Sequence, residues 1–188
     1  SDEIVKQITR LNPDIFVIVA FKILPEKLLS LPKFGSINLH ASLLPKYRGA
    51  GPIQWALMNG DKKTGVTIFQ LKKEVDAGNV LMQKEIPINS NDDMLSLGNR
   101  ISKEGAQLIP IVLDKIEEGT IKPIDQDETM ISRAPKITKS MSEINWDWSN
   151  TKIHNWVRGL NPYPGMYTFF KGRRVKIYKT LPLNGQIE

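Results

Sequence analysis

Apolar positions recur along the chain with two periods, helical and extended, in a regular alternation. Ile4, Ile8 and Leu11 fall at i, i+4 and i+7, so residues 2–11 are predicted to form an amphipathic helix that Asn12-Pro13 ends. The run DIFVIVAF follows, apolar on both faces from Ile15 to Val19, and reads as a buried central strand over Asp14–Ala20. Pro25 opens a short helix, SINLH is a second strand, GPIQWALMNG is a helix closed by Asn59-Gly60, TGVTIFQL is a third strand and NVLMQKEIPI a fourth. A long helix is expected from about Asp92 to Glu118, capped by Asp92-Asp93 and kinked at Pro110, which lacks an N–H for the helical bond. Strands alternating with helices predict an α/β domain over residues 1–125 with a largely parallel sheet.

Beyond Gly119 the periodicity fades while Pro123, Pro135 and polar residues accumulate, and residues 126–140 read as a linker. A helix is expected near 149–158, then the turn-rich NPYPG and a hairpin YTFF-KGRR-VKIY with alternating strands. Residues 141–188 are therefore predicted to begin a second, small, β-rich domain. Within it Trp146 and Trp148 read as packing residues, and His154 as a surface or capping residue.

Composition narrows the class. At 40% hydrophobic and 24% charged residues the chain is that of a soluble globular protein. The absence of cysteine excludes disulfides, cysteine-ligated zinc and thiol nucleophiles, and a cytosolic protein fits best. The formal net charge of +6 is unevenly spread: residues 133–188 hold ten Lys or Arg against three Asp or Glu, and residues 1–132 hold the remaining sixteen against seventeen. An excess of +7 in the C-terminal part is either a nucleic-acid-binding face or a solvated basic surface.

Candidate chemistry gathers where predicted strands end. Side chains at i and i+2 share one face of a strand, so Asn38 and His40 project together while Ile37 and Leu39 enter the core. In open α/β sheets ligands bind outside such strand ends, although two polar residues there also satisfy each other. After His40, Ser42-Leu43-Leu44-Pro45 is expected to expose apolar side chains and backbone groups suited to a flat ligand. Past TGVTIFQL, the loop LKKEVDAG carries Asp76, whose carboxylate can orient the His40 imidazole and stabilise its cation. One amide, one imidazole and one carboxylate make a poor metal set. Lys72-Lys73 read as a solvated pair or an acidic-ligand contact, and Arg48-Gly49 as a structural turn with a backbone-bonding arginine.

The stretches NLHASLLPKYRGAGPIQWAL and GDKKTGVTIFQLKKEVDAGNVL resemble the core of the folate-dependent formyltransferases. That family's pattern is Asn-x-His, a Ser-Leu-Leu-Pro loop, Arg-Gly, Thr-Gly-Val-Thr and Asp-x-Gly, in this order. Within the superfamily, APKITKSMSEINWDW and VRGLNPYPG resemble the linker and second-domain start of the methionyl-tRNA formyltransferases. The resemblance runs from about Asn12 to Thr180. It implies a Rossmann-like catalytic domain followed by a β-rich tRNA-binding domain. The implied reaction moves a formyl group from 10-formyltetrahydrofolate to the amino group of the methionine on initiator Met-tRNA through a tetrahedral intermediate, without metal. Carried over residue by residue, it gives catalytic roles to Asn38 and His40, which stabilise that intermediate, and to Asp76, which orients His40. It assigns folate contacts to Ser42, Leu43, Leu44 and Pro45, with Phe21, Ile23 and Leu24 beside them. Arg133, Lys136 and Lys139 are the expected tRNA-phosphate contacts.

The sequence departs from the family in one motif: Ala20-Phe21-Lys22-Ile23-Leu24-Pro25 is one residue shorter than the usual Ala-Tyr-Gly-x-Ile-Leu-Pro and lacks its glycine. Family members also carry two further βα units before this region and a complete second domain after it, so the chain is expected to be a fragment of a protein that is monomeric at full length. The formyl-Met initiation that the resemblance implies points to a bacterial cytoplasm or an organellar matrix. Two alternatives are a related formyltransferase acting on a small amine, such as an amino sugar nucleotide or glycinamide ribonucleotide, and a non-catalytic RNA-binding protein of the same fold.

Overall fold

The computed structural model describes residues 2–20 and 24–183. α1 (Asp2–Leu11) forms where its apolar stripe predicts, with Ile8 half-buried and Ile4 and Leu11 exposed. There follow β1 (Phe16–Val19), α2 (Glu26–Leu29), β2 (Ser36–His40), the two-residue β3 (Arg48–Gly49), α3 (Pro52–Met58), β4 (Lys63–Gln70), β5 (Val80–Pro87) and α4 (Met94–Glu117). The main sheet has the order β1-β2-β4-β5. Thr64 to Phe69 of β4 are buried without exception, as two bonded neighbours and a covering helix require of an apolar run.

The α/β fold is as the alternation predicts, but the parallel pairing within the described sheet is confined to β1 and β2. β2 and β4 are antiparallel, and so are β4 and β5. His40 at the end of β2 lies opposite Thr67 in the middle of β4, whose first four residues extend past that end of β2, so the chain re-enters the sheet there and β4 runs back. Leu71 to Asn79 join β4 to β5 without a helix, which returns the chain antiparallel. The apolar run expected as a central strand forms β1, which has β2 on one side and, among the described residues, no strand on the other. Val17 and Val19 are 41% and 51% exposed there.

α4 covers the sheet with Leu97, Ile101, Leu108 and Val112, which form one core with Ile37, Val66, Ile68 and Ile86. The helix runs through Pro110. A second core joins Met58 of α3 to Ile144, to Val157 and Leu160 of α5 (Asn150–Leu160), and to Met166. The residues between the two are bonded along their length. Ile124 exchanges backbone bonds of 2.7 and 2.8 Å with Val80, β6 (Arg133–Ala134) pairs in parallel with β3, and the Trp55 indole donates to Pro135 O at 2.8 Å. Prolines keep this segment out of a regular ladder, yet its free backbone groups find partners on the sheet edge. β7 (Met166–Phe170) and β8 (Arg173–Ile177) form the expected hairpin. Its turn, Lys171-Gly172, has φ of +47° and +74°, the left-handed pair that a two-residue hairpin turn demands. Trp148 packs on the second core with its ring tilted against Trp156 at 4.6 Å, whereas Trp146, contrary to the packing expected of it, is exposed and donates to Thr168 Oγ1; His154 Nδ1 lies 3.0 Å from Thr180 Oγ1.

The acidic pair before α4 divides its work. Asp93 is the cap: it accepts from Ser96 N at 2.9 Å while Ser96 Oγ accepts from Asp93 N at 3.1 Å. Asp92 is 4% exposed and holds Arg100 through both carboxylate oxygens, with the Asn89 amide and the Ser96 hydroxyl also donating to it. Arg100 in turn donates to Pro87 O at 2.8 Å, tying α4 to the end of β5. Burial alone would raise the Asp92 carboxyl; Arg100, the Asn89 amide and the Ser96 hydroxyl outweigh it and hold the group below the usual carboxylate value. Arg100→Met leaves that carboxylate buried without its cation, and should cost about 3 kcal/mol at neutral pH. Because the Asp92 carboxyl is depressed, its contribution is complete above the unfolded value and is lost as pH falls through the folded one. The deficit of the variant, measured by urea denaturation, should therefore narrow as pH falls below the ordinary carboxylate range and the Asp92 carboxyl protonates.

Candidate functional site

β2 ends at His40, and the loop that follows turns back over the ring. Tyr47 adopts φ of +62°, an uncommon conformation for a bulky residue, and is held there at three points: its N–H donates to Ser132 Oγ at 2.9 Å, its hydroxyl donates to Asp61 at 2.7 Å and accepts from Asn59 at 3.0 Å. Burial, with the Asp61 carboxylate beside it, pushes the Tyr47 hydroxyl up to about 12. So anchored, Tyr47 presents its carbonyl to His40 Nε2 at 2.8 Å. A carbonyl only accepts, so Nε2 carries a proton, and in the neutral tautomer the lone pair is on Nδ1. Phe69 packs edge-on against the ring at 6.4 Å.

Nδ1 faces Asp76 Oδ2 at 3.7 Å. Asp76 sits on the β4–β5 loop with φ of +53° and is 9% exposed. Its Oδ2 accepts from Gly49 N–H at 2.8 Å. The expectation that Asp76 orients His40 is therefore corrected in one respect: the direct bond that holds the ring comes from Tyr47, and the carboxylate stands just beyond hydrogen-bond range as a neighbouring charge. Asn38 shares the strand face with His40, as the period of two predicts, and its Oδ1 is buried without a hydrogen-bond partner among the described residues.

Asn38, His40 and Asp76 line one cavity of about 920 Å³. Its apolar wall includes Ile18, Leu24 and Leu39, and its charged lining consists of Lys72 and Lys73 with Glu26, Glu74 and Asp76. Of the other expected ligand contacts, Leu24 is in this wall, whereas Phe21 and Ile23 lie outside the described residues. The Ser42 to Pro45 loop does not line the cavity, contrary to expectation. Ser42 is fully buried with its hydroxyl on Lys46 O at 2.6 Å, and Leu44 packs with Phe69 and Val80. Thr67 explains this: its hydroxyl donates to Ser42 O at 2.6 Å and accepts from Leu44 N at 3.1 Å, while Gln83 takes the Leu44 carbonyl at 2.7 Å. Ser42 O and both backbone groups of Leu44 are thus taken by side chains of β4 and β5.

Arg133, Lys136 and Lys139 are exposed and lie outside the cavity lining, with Arg133 paired to Arg48 across β3 and β6. Arg48 is not a backbone-bonding turn residue. It is 4% exposed, and its guanidinium donates to Gln126 Oε1 at 3.0 and 2.7 Å and to Glu128 at 2.9 Å. Sequence reasoning missed Tyr47 and Gln126. Tyr47 lies seven residues past His40 in the quoted motif and acts through its backbone, which no side-chain pattern marks; Gln126 is distant in sequence and sits in a segment with no periodicity.

The model of the formyl transferase family matches residues 1–113, and that of the formyl transferase C-terminal domain matches residues 136–188. The methionyl-tRNA formyltransferase of Thermodesulfovibrio yellowstonii is 49% identical over 98% of the chain and 60% of its own length. That of Caldanaerobacter subterraneus subsp. tengcongensis is 44% identical over 95% of the chain and 58% of its own length. The chain thus spans about 60% or less of the curated relatives it matches. Among solved structures, HypX from Aquifex aeolicus in complex with tetrahydrofolic acid superposes with a TM-score of 0.80 at 22% identity, covering 95% of this chain and 31% of HypX, a likeness of fold. Fold, motif order and sequence identity agree: the chain belongs to the formyl transferase family.

Proposed function

We propose that the chain carries the catalytic centre of a methionyl-tRNA formyltransferase, which moves the formyl group of 10-formyltetrahydrofolate to the amino group of methionine on initiator Met-tRNA. The observation that carries this reading is the placement of His40: Nε2 is bonded to Tyr47 O, and Nδ1 faces Asp76 in the cavity that Asn38 also lines.

The cavity fits the donor. Its volume of about 920 Å³ is in the range of small-molecule sites. Ile18, Leu24 and Leu39 offer an apolar wall to a flat ring, and Lys72 and Lys73 offer charge to an anionic tail. When bound, the folate supplies an activated formyl group and a nitrogen leaving group. His40 Nδ1 accepts the proton that the attacking amine sheds, with Nε2–H retained on Tyr47 O. The Asp76 carboxylate, 3.7 Å away, lowers the cost of the resulting imidazolium. His40 then returns the proton to the departing nitrogen. Asn38, which lines the same cavity, donates an Nδ2–H where negative charge grows, a contribution of roughly 3 kcal/mol.

The acceptor is inferred from the names of the relatives, from the basic excess of residues 133–188, and from the exposure of Arg133, Lys136 and Lys139. The test is an assay of the full-length protein for formyl transfer to Met-tRNA beside a panel of amino sugar nucleotides and glycinamide ribonucleotide; preference for a small amine would overturn the reading. In the same assay His40→Ala should lower kcat by at least about 100-fold, and a loss under about tenfold would remove His40 from proton transfer. Arg133→Ala, Lys136→Ala and Lys139→Ala should each raise KM for Met-tRNA, leave KM for folate unchanged, and flatten the log–log salt dependence by about one unit per lost phosphate contact. Equal effects on both substrates would show that the segment had instead lost its fold.

A further inference from the structure

We propose that Gln126 is a positioning residue for Asp76: it clamps the backbone of the Asp76 loop from the segment that connects the two cores, and Arg48 holds it in place to do so. This role rests on the reading of Asp76 as part of the formyl-transfer site. Residues 122–130 are exposed except for Gln126, which turns inward. Its amide is fully engaged. Nε2 donates to Asp76 O at 2.8 Å and to Gly78 O at 2.7 Å, while Oε1 accepts from Arg48 Nε at 3.0 Å and Nη2 at 2.7 Å. A half-turn of the amide would set NH2 against a guanidinium and oxygen against two carbonyls, so the partners fix its orientation.

The loop needs such a clamp. Asp76 has φ of +53°, which a non-glycine residue rarely adopts unless its surroundings hold it there. Two residues on, Gly78 passes so close to the end of β4 that a Cβ would strike the Gln70 carbonyl, so the loop cannot relax toward the sheet. Asn79 donates to Asp125 at 2.6 Å, and Val80 pairs with Ile124, which brings Gln126 to the loop in register. The step Arg48-Gly49 then acts on both ends of Asp76: the Arg48 side chain aims Gln126 at its carbonyl, and Gly49 N–H binds its carboxylate.

The Gly49 amide therefore reports where Asp76 is, and its neighbours supply internal controls, because Arg48 N–H donates to Ser132 O at 2.9 Å and Gly51 N–H to Ala134 O at 3.1 Å. In the full-length protein, Gln126→Glu keeps the acceptor for Arg48 but loses both donors to the loop, and Gln126→Met removes the polar group without adding charge. Amide hydrogen exchange by NMR should accelerate at Gly49 by about tenfold or more in either variant, with Arg48 and Gly51 little changed. Gln126→Glu should also lower kcat by about 100-fold, the cost of a small misplacement of a reacting group. In an Asp76→Ala background the same change should cost less than about twofold, because Gln126 acts through Asp76. Equal acceleration at all three amides, no acceleration at Gly49, or additive losses with Asp76→Ala would each overturn the proposal. A wild-type protein that transfers no formyl group would overturn the proposed function instead, and the exchange pattern would still decide whether Gln126 holds Asp76.

Discussion

The structure is organised around β4, bonded along both edges and buried from Thr64 to Phe69. An interior strand of this kind has no freedom of register, because a slip by one residue would exchange its two faces, taking Val66 and Ile68 off the core that α4 covers and turning Thr67 into it. That constraint places Thr67 opposite His40. From there the Thr67 hydroxyl organises Ser42 and Leu44 into the loop that carries Tyr47 over the imidazole. The catalytic candidate is thus positioned by an apolar strand that contributes no chemistry of its own.

Around this strand the site is assembled largely from backbone. Tyr47 offers a carbonyl, Gly49 an N–H, and the Asp76 loop two carbonyls. Backbone groups are rigid donors and acceptors once their strands and loops are fixed, so they preorganise charged side chains without adding rotamer entropy of their own. The cost appears as left-handed conformations at Tyr47 and Asp76. Each is over-determined by several bonds, which is how uncommon backbone geometry persists at functional sites.

The segment after α4 belongs to both parts of the molecule. Its backbone pairs with Val80 and with β3, and its side chains reach Arg48 and the Asp76 loop. The exposed cations Arg133, Lys136 and Lys139 follow directly. A connection with so many bonds to the residues that line and support the cavity is part of the framework of the candidate site, and its proline content reflects irregular pairing rather than freedom.

Local pattern was enough to read the elements of this protein. The i, i+4 stripe marked α1, the apolar run TGVTIFQL marked β4, Asp93 marked the start of α4, and the period of two put Asn38 beside His40. These depend on the 3.6 and 2.0 periodicities of the backbone, which operate over a few residues. The direction of β4, the exposed edge of β1, the withdrawal of the Ser42 to Pro45 loop and the inward turn of Gln126 could not be read this way. Each depends on pairing between segments tens of residues apart, where the partner of a polar group is chosen by which surface packing brings near. The residue types in the sequence therefore determined which chemistry was available, and only the tertiary structure decided which carbonyl holds the histidine and which amide holds the aspartate, because a backbone group carries no residue-specific mark until the fold gives it a partner.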